Sequence, residues 1–372
     1  MHLGLIVPDL SHDNGWAQYS LSLSRALHRA GIHLTIVSGD ETAPVEGVPF
    51  EPVLTTLTPH QRFTVPRMLL RTPQVRAILK NCDLIHTTAE PYAPLGNWIA
   101  GDRPFVLTGH GSYVQISKLH RWPVSALYRR AFYRAQVVCV SHYTARIAGE
   151  TLPDVRTVVI NNGVDVERFA SLPALETGKR GPTILSVGGV KRRKGTLELV
   201  RAMAIVRQHI PDAQCMILGS LTAETRYVAR VRAEIVQLGL EDWVHLVGFV
   251  PKETLLGWYG TADVFVLPSI NVGLSFEGFG LVHLEASAAG LPVIGTSGCG
   301  VEDAVDDGVT GLLLPQDQLE EQLPQAILDV LTDPPRAARM GAAGREKARH
   351  QTWDHVAQEM IALYESLLEG QR

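Results

Sequence analysis

Glu277-Gly278-Phe279-Gly280-Leu281-Val282-His283-Leu284-Glu285 runs on through Ala286-Ser287-Ala288-Ala289 to Gly290, and its reading decides the fold. Ala, Leu and Glu favour helix from about Leu281 onward, and Gly290 followed by Pro292 stops it. Gly278 and Gly280 let the backbone pass close to a bulky neighbour with no Cβ in the way. The amides of Gly280, Leu281 and Val282 fall in the first turn, where an α-helix has no internal partner for them. Such a helix start attracts anions, phosphate above all. One segment thus offers a carboxylate at its mouth (Glu277), amides for a phosphate, and a second carboxylate (Glu285) further along. That order suits a sugar, a diphosphate and a ribose held in line.

Working outward, the chain has 372 residues, more than one ordinary core holds, so two domains are expected. Hydrophobic residues at 45% and charged residues at 19% place it among globular proteins and exclude a disordered chain. No apolar run is long enough for a membrane span, and Met1 to Pro8 leads directly into a strand pattern, so a cytoplasmic location is expected. Cys82, Cys139, Cys215 and Cys299 are far apart and read as buried structural thiols. No metal-binding spacing is present, so no metal site is assigned.

The net charge of −4 divides unevenly, with +3 over residues 1–170 and −7 over the remainder. No acid occurs between Asp102 and Glu150, a gap holding Arg103, Lys118, Arg121, Arg129, Arg130, Arg134 and Arg146. A second gap, Glu51 to Asp83, holds Arg62, Arg67, Arg71, Arg76 and Lys80. A solvated basic face and an anionic membrane or phosphate surface explain these gaps equally well. Nucleic acid is disfavoured as a partner, because no binding motif accompanies the charges.

Strand and helix patterns alternate twice along the chain. Strands are expected at Leu3–Val7, His33–Val37, Leu84–His86, Phe105–Thr108, Val137–Val140 and Thr157–Ile160, then at Ile184–Val187, Cys215–Leu218, Val244–Val247, Val264–Leu267, Pro292–Gly295 and Gly311–Leu314. Helices are expected near residues 16–30, then 196–208, 223–238, 252–260, 281–289, 317–332 and 335–349, and stretches 66–80 and 123–135 read as helical or irregular. The pattern gives an α/β chain of two doubly wound, Rossmann-like domains: 1–170, a linker over 171–182, and 183–352. The amphipathic segment 353–372 is expected to pack back on the first domain across the junction.

In open parallel sheets, ligands bind beyond the carboxyl ends of strands, and the loops there are informative. Asp13-Asn14-Gly15-Trp16 opens a helix after the first strand; an Asn14 N-cap and a ligand role for this loop are equally compatible with it. His110 sits between Gly109 and Gly111 at a strand end, an arrangement that favours close approach to a ligand. Gly188-Gly189-Val190-Lys191-Arg192-Arg193-Lys194-Gly195 places four consecutive cations in a strand-to-helix turn, fitting a diphosphate whose charge grows as it leaves. The chain lacks a Gly-x-Gly-x-x-Gly fingerprint, which argues against a nicotinamide enzyme. A glycosidase-type carboxylate pair is disfavoured, since Glu285 lies in an apolar helical run suited to accepting hydroxyl hydrogen bonds.

Taken together, Glu277-x7-Glu285 with Phe279-Gly280 and Gly290-x-Pro292, Ser141-x-x-Thr144, Ile160-x-Asn162-Gly163-Val164-Asp165 and Gly308-x-Thr310-Gly311 resemble the retaining nucleotide-sugar glycosyltransferases of family 4, over nearly the whole chain. The resemblance implies a GT-B fold, with the first domain binding a hydroxyl acceptor, the second a nucleotide-diphosphate sugar, and the two facing across a cleft. It implies no cofactor. It assigns His110, Glu277 and Lys194 to the reaction centre. The implied donor set is Gly15, Gly189, Arg192, Arg193, Lys194, Phe249, Val250, Glu277, Gly278, Phe279, Gly280, Leu281, Val282 and Glu285, with Glu285 on the ribose, Glu277 on the sugar and the base beside Phe249 and Val250. The family's usual Arg after Gly188 is replaced by Gly189, so Lys191, Arg192 or Arg193 must supply the second cation. A lipid-linked acceptor and peripheral association with the inner membrane surface are compatible with the basic first half. A sugar phosphorylase or epimerase of the same fold, or a non-catalytic sugar-nucleotide binder, shares these features.

Overall fold

The structure, a computed structural model, describes residues 1–11, 14–39, 42, 49–55, 64–173, 175 and 181–370. Asp13, Arg62, linker residues 174 and 176–180, and residues 371–372, all part of the sequence reading, lie outside the described residues. The chain forms two compact units, Met1–Gly163 with Trp353–Arg372, and Val164–Thr352.

In the first unit the strands are β1 (His2–Ile6), β2 (His33–Gly39), β3 (Glu51–Leu54), β4 (Leu84–Thr87), β5 (Phe105–Gly109), β6 (Gln136–Cys139) and β7 (Thr157–Val159). They pair throughout in parallel, in the order β3-β2-β1-β4-β5-β6-β7. Central strands buried on both faces read as unbroken apolar runs, as Leu3, Leu5 and Ile6 or Leu84 and Ile85 do. The edge strand β3 escapes the sequence reading. It is short, exposed at Glu51 and Pro52, and tolerates a proline only because it is an edge. Three helices, Ala93–Ala100, Ile116–Leu119 and His142–Thr151, are also additional to the expected set. The first is almost wholly buried, so it carries no amphipathic period.

The last helix, Trp353–Glu369, lies in the first unit against the helix Gly15–Arg29. Arg29 meets Asp354 at 2.6 Å, and the Tyr364 hydroxyl is 2.8 Å from His86 Nδ1 in the buried interior.

The second unit carries β8 (Thr183–Val187), β9 (Gln214–Leu218), β10 (Val244–Gly248), β11 (Val264–Val266), β12 (Val293–Thr296) and β13 (Gly311–Leu314), again all parallel, in the order β10-β9-β8-β11-β12-β13. The helix Glu167–Ala170 and the described residues of the stretch after it belong to this unit. Leu175 and Leu172 press on Gly257 and Gly260, where a Cβ would come within 2.5 and 2.9 Å of them. In each unit the strand order reverses beside the first strand, at β1/β4 and β8/β11. Crossovers leave in opposite directions there and open a crevice at the carboxyl ends.

Candidate active site

The basic turn leaves β8 at that reversal, and the loop of residues 267–280 leaves β11 beside it. Gly195 lets them meet. It adopts φ +65°, and a Cβ there would stand 1.9 Å from the Pro268 carbonyl oxygen. The Ile270 amide donates to the Arg193 carbonyl at 2.8 Å, tying loop to turn.

This contact brings the charges together. Lys194 Nζ lies 2.5 Å and Arg193 Nη1 2.9 Å from Glu277 Oε2, and the Ser269 hydroxyl donates to the same oxygen at 3.2 Å. Burial opposes ionisation of Glu277, but Lys194 and then Arg193 overcome it and hold the carboxyl well below the usual range. Two cations against one carboxylate leave the cluster net positive. Of the three cations left open by Gly189, Lys191, Arg192 and Arg193, it is Arg193 that the structure brings onto Glu277. The Arg192 side chain is exposed, although its amide donates to Glu224 Oε2 at 2.9 Å.

The Glu277 main chain is fixed as firmly as its side chain. Its carbonyl accepts from the Gly300 amide at 2.8 Å, and a Cβ on Gly300 would lie 1.9 Å from the Gly278 carbonyl oxygen. Gly280, in the left-handed region at φ +80°, then starts the helix Leu281–Ala289 with no side-chain cap. Leu281 and Val282, half-buried, present the first-turn amides. His283 is wholly buried between two carbonyls, Nδ1 3.2 Å from Gly280 and Nε2 3.3 Å from Leu267. Burial lowers its pKa to about 4, so the neutral ring donates to one carbonyl and clamps the loop to β11's end.

Glu285 lies deeper on the same helix, 7% exposed, and accepts from the Tyr259 hydroxyl at 3.1 Å. Burial and the Glu285 carboxylate push the Tyr259 phenol well above its ordinary value, so it stays a donor. The Phe169 and Phe265 rings flank Tyr259. Phe249 and Val250 follow the edge strand β10; Phe249 is 74% exposed, open to a stacking partner.

In the first unit, His110 follows β5. Its Nε2 is 2.7 Å from the Thr88 carbonyl oxygen, which can only accept, so Nε2 carries the proton. Burial lowers its pKa to about 4, keeping the ring neutral. The Tyr19 ring meets it edge-on at 4.6 Å. Asn14 Oδ1 accepts from the Trp16 and Ala17 amides at 3.1 and 3.0 Å, making Asn14 the N-cap of its helix. Gly15 beside it faces open space.

Sequence reasoning missed Ser269, Tyr259, Gly300 and Glu90. A tyrosine and a glycine without motif spacing carry no local signal, and Ser269, next to Pro268 ahead of the Glu277 segment, carries one only through the family resemblance. Glu90 could have been suspected as a lone acid in an apolar stretch, His86 to Leu95. Among the described residues no group of His, Cys, Asp and Glu could hold a metal ion, and no helix is long and apolar enough to cross a membrane.

Two family models match the chain in succession: Glycosyltransferase Family 4 over residues 13–168 and Glycosyl transferases group 1 over residues 168–347. A GDP-mannose-dependent alpha-(1-6)-phosphatidylinositol monomannoside mannosyltransferase of Mycolicibacterium smegmatis is 34% identical over 70% of this chain and 70% of its own. A D-inositol 3-phosphate glycosyltransferase of Xylanimonas cellulosilytica is 29% identical over 96% of this chain and 93% of its own. Among solved structures, sucrose-phosphate synthase from Thermosynechococcus elongatus shares the fold, with TM-score 0.79 and 24% identity over 99% of both chains. With both halves matched in order, and a relative one-third identical over most of its length, the chain belongs to the glycosyltransferases of family 4.

Proposed function

We propose that this enzyme transfers a hexosyl group from a nucleotide-diphosphate sugar to a hydroxyl with retention of the anomeric configuration. The observation that carries the reading is the convergence of Lys194, Arg193 and Ser269 on one oxygen of Glu277 beside an uncapped helix start. Cleavage of the bond from the anomeric carbon to the leaving oxygen puts the electron pair on the diphosphate. Lys194, Arg193 and the amides of Leu281 and Val282 stabilise that charge. Glu277 orients the sugar hydroxyls, Glu285 accepts from the ribose, and Phe249 and Val250 sit beside the base. His110, neutral and protonated at Nε2, offers Nδ1 as a hydrogen-bond acceptor at the reaction centre. The acceptor oxygen bonds to the anomeric carbon as the bond to the leaving oxygen breaks, and its proton passes to the departing diphosphate oxygen.

GDP-mannose is the first donor to test, because the one-third-identical relative is named for it. Both relatives' names carry an inositol ring, which supports an inositol-bearing acceptor. A lipid-linked acceptor at the cytoplasmic membrane surface is supported by the helix Thr64–Ile78, where Leu69 and Leu70 are 53% and 81% exposed beside Arg67 and Arg71, and by Trp122, 83% exposed next to Arg121.

The test is nucleotide release from UDP-, GDP- and ADP-sugars, with inositol 3-phosphate or phosphatidylinositol monomannoside vesicles as acceptor, followed by assignment of the product anomer. Acceptor-dependent release with retention, lost in Lys194→Ala and Glu277→Ala, is expected. Inversion, or normal turnover in either variant, refutes the roles given. Cosedimentation with phosphatidylglycerol but not phosphatidylcholine vesicles is the expected membrane signature; equal binding to both refutes it.

A further inference from the structure

The turn after β4, Thr88–Glu90, holds a carboxylate that the transfer chemistry leaves unused. Glu90 is 0% exposed. Its Oε1 accepts the His110 amide at 2.7 Å, and the nearby Trp16 side chain favours its ionised form. Its Oε2 is buried with no hydrogen-bond partner among the described residues. Thr88, two residues earlier, repeats the pattern. Its carbonyl accepts from His110 Nε2 at 2.7 Å, and its Oγ1 lies 2.7 Å from Ser20 Oγ, which donates to the Trp16 carbonyl at 2.8 Å. Two residues of one short turn therefore hold the His110 turn, and one of them, Thr88, also reaches the first turns of the helix Gly15–Arg29.

We propose that Glu90 is a positioning residue for the transfer reaction, holding the His110 turn through its backbone amide and so fixing His110 in its working orientation. The proposal rests on the placing of His110 at the reaction centre. Glu90 cannot touch a substrate, being wholly buried, so it acts through the His110 main chain. A carboxyl is a costly filler there. Burial pushes it up to about 7, and one oxygen gains no hydrogen bond. A leucine would fill the space without that penalty, but it would leave the His110 amide without its acceptor. A buried acceptor for that amide is what the carboxyl adds over a hydrophobe.

The test compares Glu90→Leu, Glu90→Asp and Glu90→Gln with His110→Ala. Turnover is read as GDP release from GDP-mannose with phosphatidylinositol monomannoside vesicles. Hydrogen exchange of the His110 amide, which needs no substrate, is read alongside. Loss of a hydrogen bond to a charged group predicts exchange faster by about tenfold or more and kcat lower by about 10- to 100-fold in Glu90→Leu. The donor KM should change far less than kcat, because every assigned donor contact except Gly15 lies in the other unit. Glu90→Asp, one methylene too short, should behave like Glu90→Leu. Glu90→Gln still offers a carbonyl oxygen to the His110 amide and should restore most of both readouts. Should Glu90→Leu fail to fold, the contrast of Asp against Gln decides. Unchanged exchange in Glu90→Leu or Glu90→Asp, or a raised donor KM at constant kcat, overturns the proposal. Normal turnover in His110→Ala removes the reading of His110 itself. An inactive His110→Ala beside fully active Glu90 variants removes only the role of Glu90.

Discussion

Replacing Lys194 with methionine keeps the aliphatic stem and removes one charge from a cluster that is nearly closed to water. Lys194 and Glu277 side chains are each 12% exposed, and their charged atoms are 2.5 Å apart. Stranding one partner of a buried pair costs about 3–5 kcal/mol when nothing else compensates. Arg193 at 2.9 Å and Ser269 at 3.2 Å remain on Glu277 Oε2, so we expect about 2 kcal/mol for Lys194→Met. In a unit of this size that lowers the midpoint of the second unit's thermal transition by about 4–8 °C. Glu277→Gln alone leaves two cations facing each other and is expected to cost a similar amount. The double variant removes both ends of the pair and should fall short of the sum by about 1–3 kcal/mol. The assay is thermal and urea unfolding of the wild type, both single variants and the double. Turnover in Lys194→Met should fall by about 100- to 1000-fold, the scale of losing one donor to a developing anion. Strictly additive stability changes would show that the ion pair does not form in solution, and the charge argument would fail with it.

Gly300→Ala should lower kcat by about tenfold or more while leaving the circular dichroism unchanged, because a Cβ 1.9 Å from the Gly278 carbonyl oxygen displaces the Glu277 loop and misplacement there is costly; unaltered kcat would free the loop from that contact. Tyr259→Phe removes one hydrogen bond to the Glu285 carboxylate and should raise the donor KM about 10-fold at constant kcat, with no difference from wild type on a 2′,3′-dideoxynucleotide donor; an equal effect on both donors refutes the ribose contact. The pH dependence follows from three buried histidines, lowered from 6.5 to about 3 for His86 and to about 4 for His110 and His283. Their unfolded forms bind protons first, so their stability is whole above pH 6.5 and is lost as the pH falls toward 4, each by about 1.4 kcal/mol for every tenfold loss of proton affinity on folding. Glu90, raised to about 7, opposes them, since its contribution is whole below pH 4.5 and lost as the pH rises through 7. Three groups outweigh one, so the urea midpoint should fall from pH 7 to pH 5; a flat or rising midpoint would contradict the burial of these rings.

Much of the candidate site in the second unit was legible because its parts are local. Gly280, the helix after it and its stop at Gly290 lie within a few residues of one another, and backbone rules act at that range. The position of the basic turn after a strand was legible for the same reason. The choice among Lys191, Arg192 and Arg193 was not, since it depends on how the 3-10 turn Arg192–Lys194 aims each side chain at a loop more than eighty residues away. The edge strand β3 and the helix Ala93–Ala100 were illegible for opposite reasons, one too exposed to alternate and the other too buried to be amphipathic.

The sequence by itself determined the alternation of elements, hence two parallel sheets, and the motif set that fixes the family. Tertiary structure alone decided which polar groups share an atom. Ser269, Arg193 and Lys194 meet on Glu277 because Gly195 lets two loops touch. Glu90 meets His110 because β4 and β5 are neighbours in the sheet. A hydrogen bond is satisfied over about 3 Å in space regardless of separation along the chain, whereas periodicity and turn chemistry report only on residues that are close in sequence.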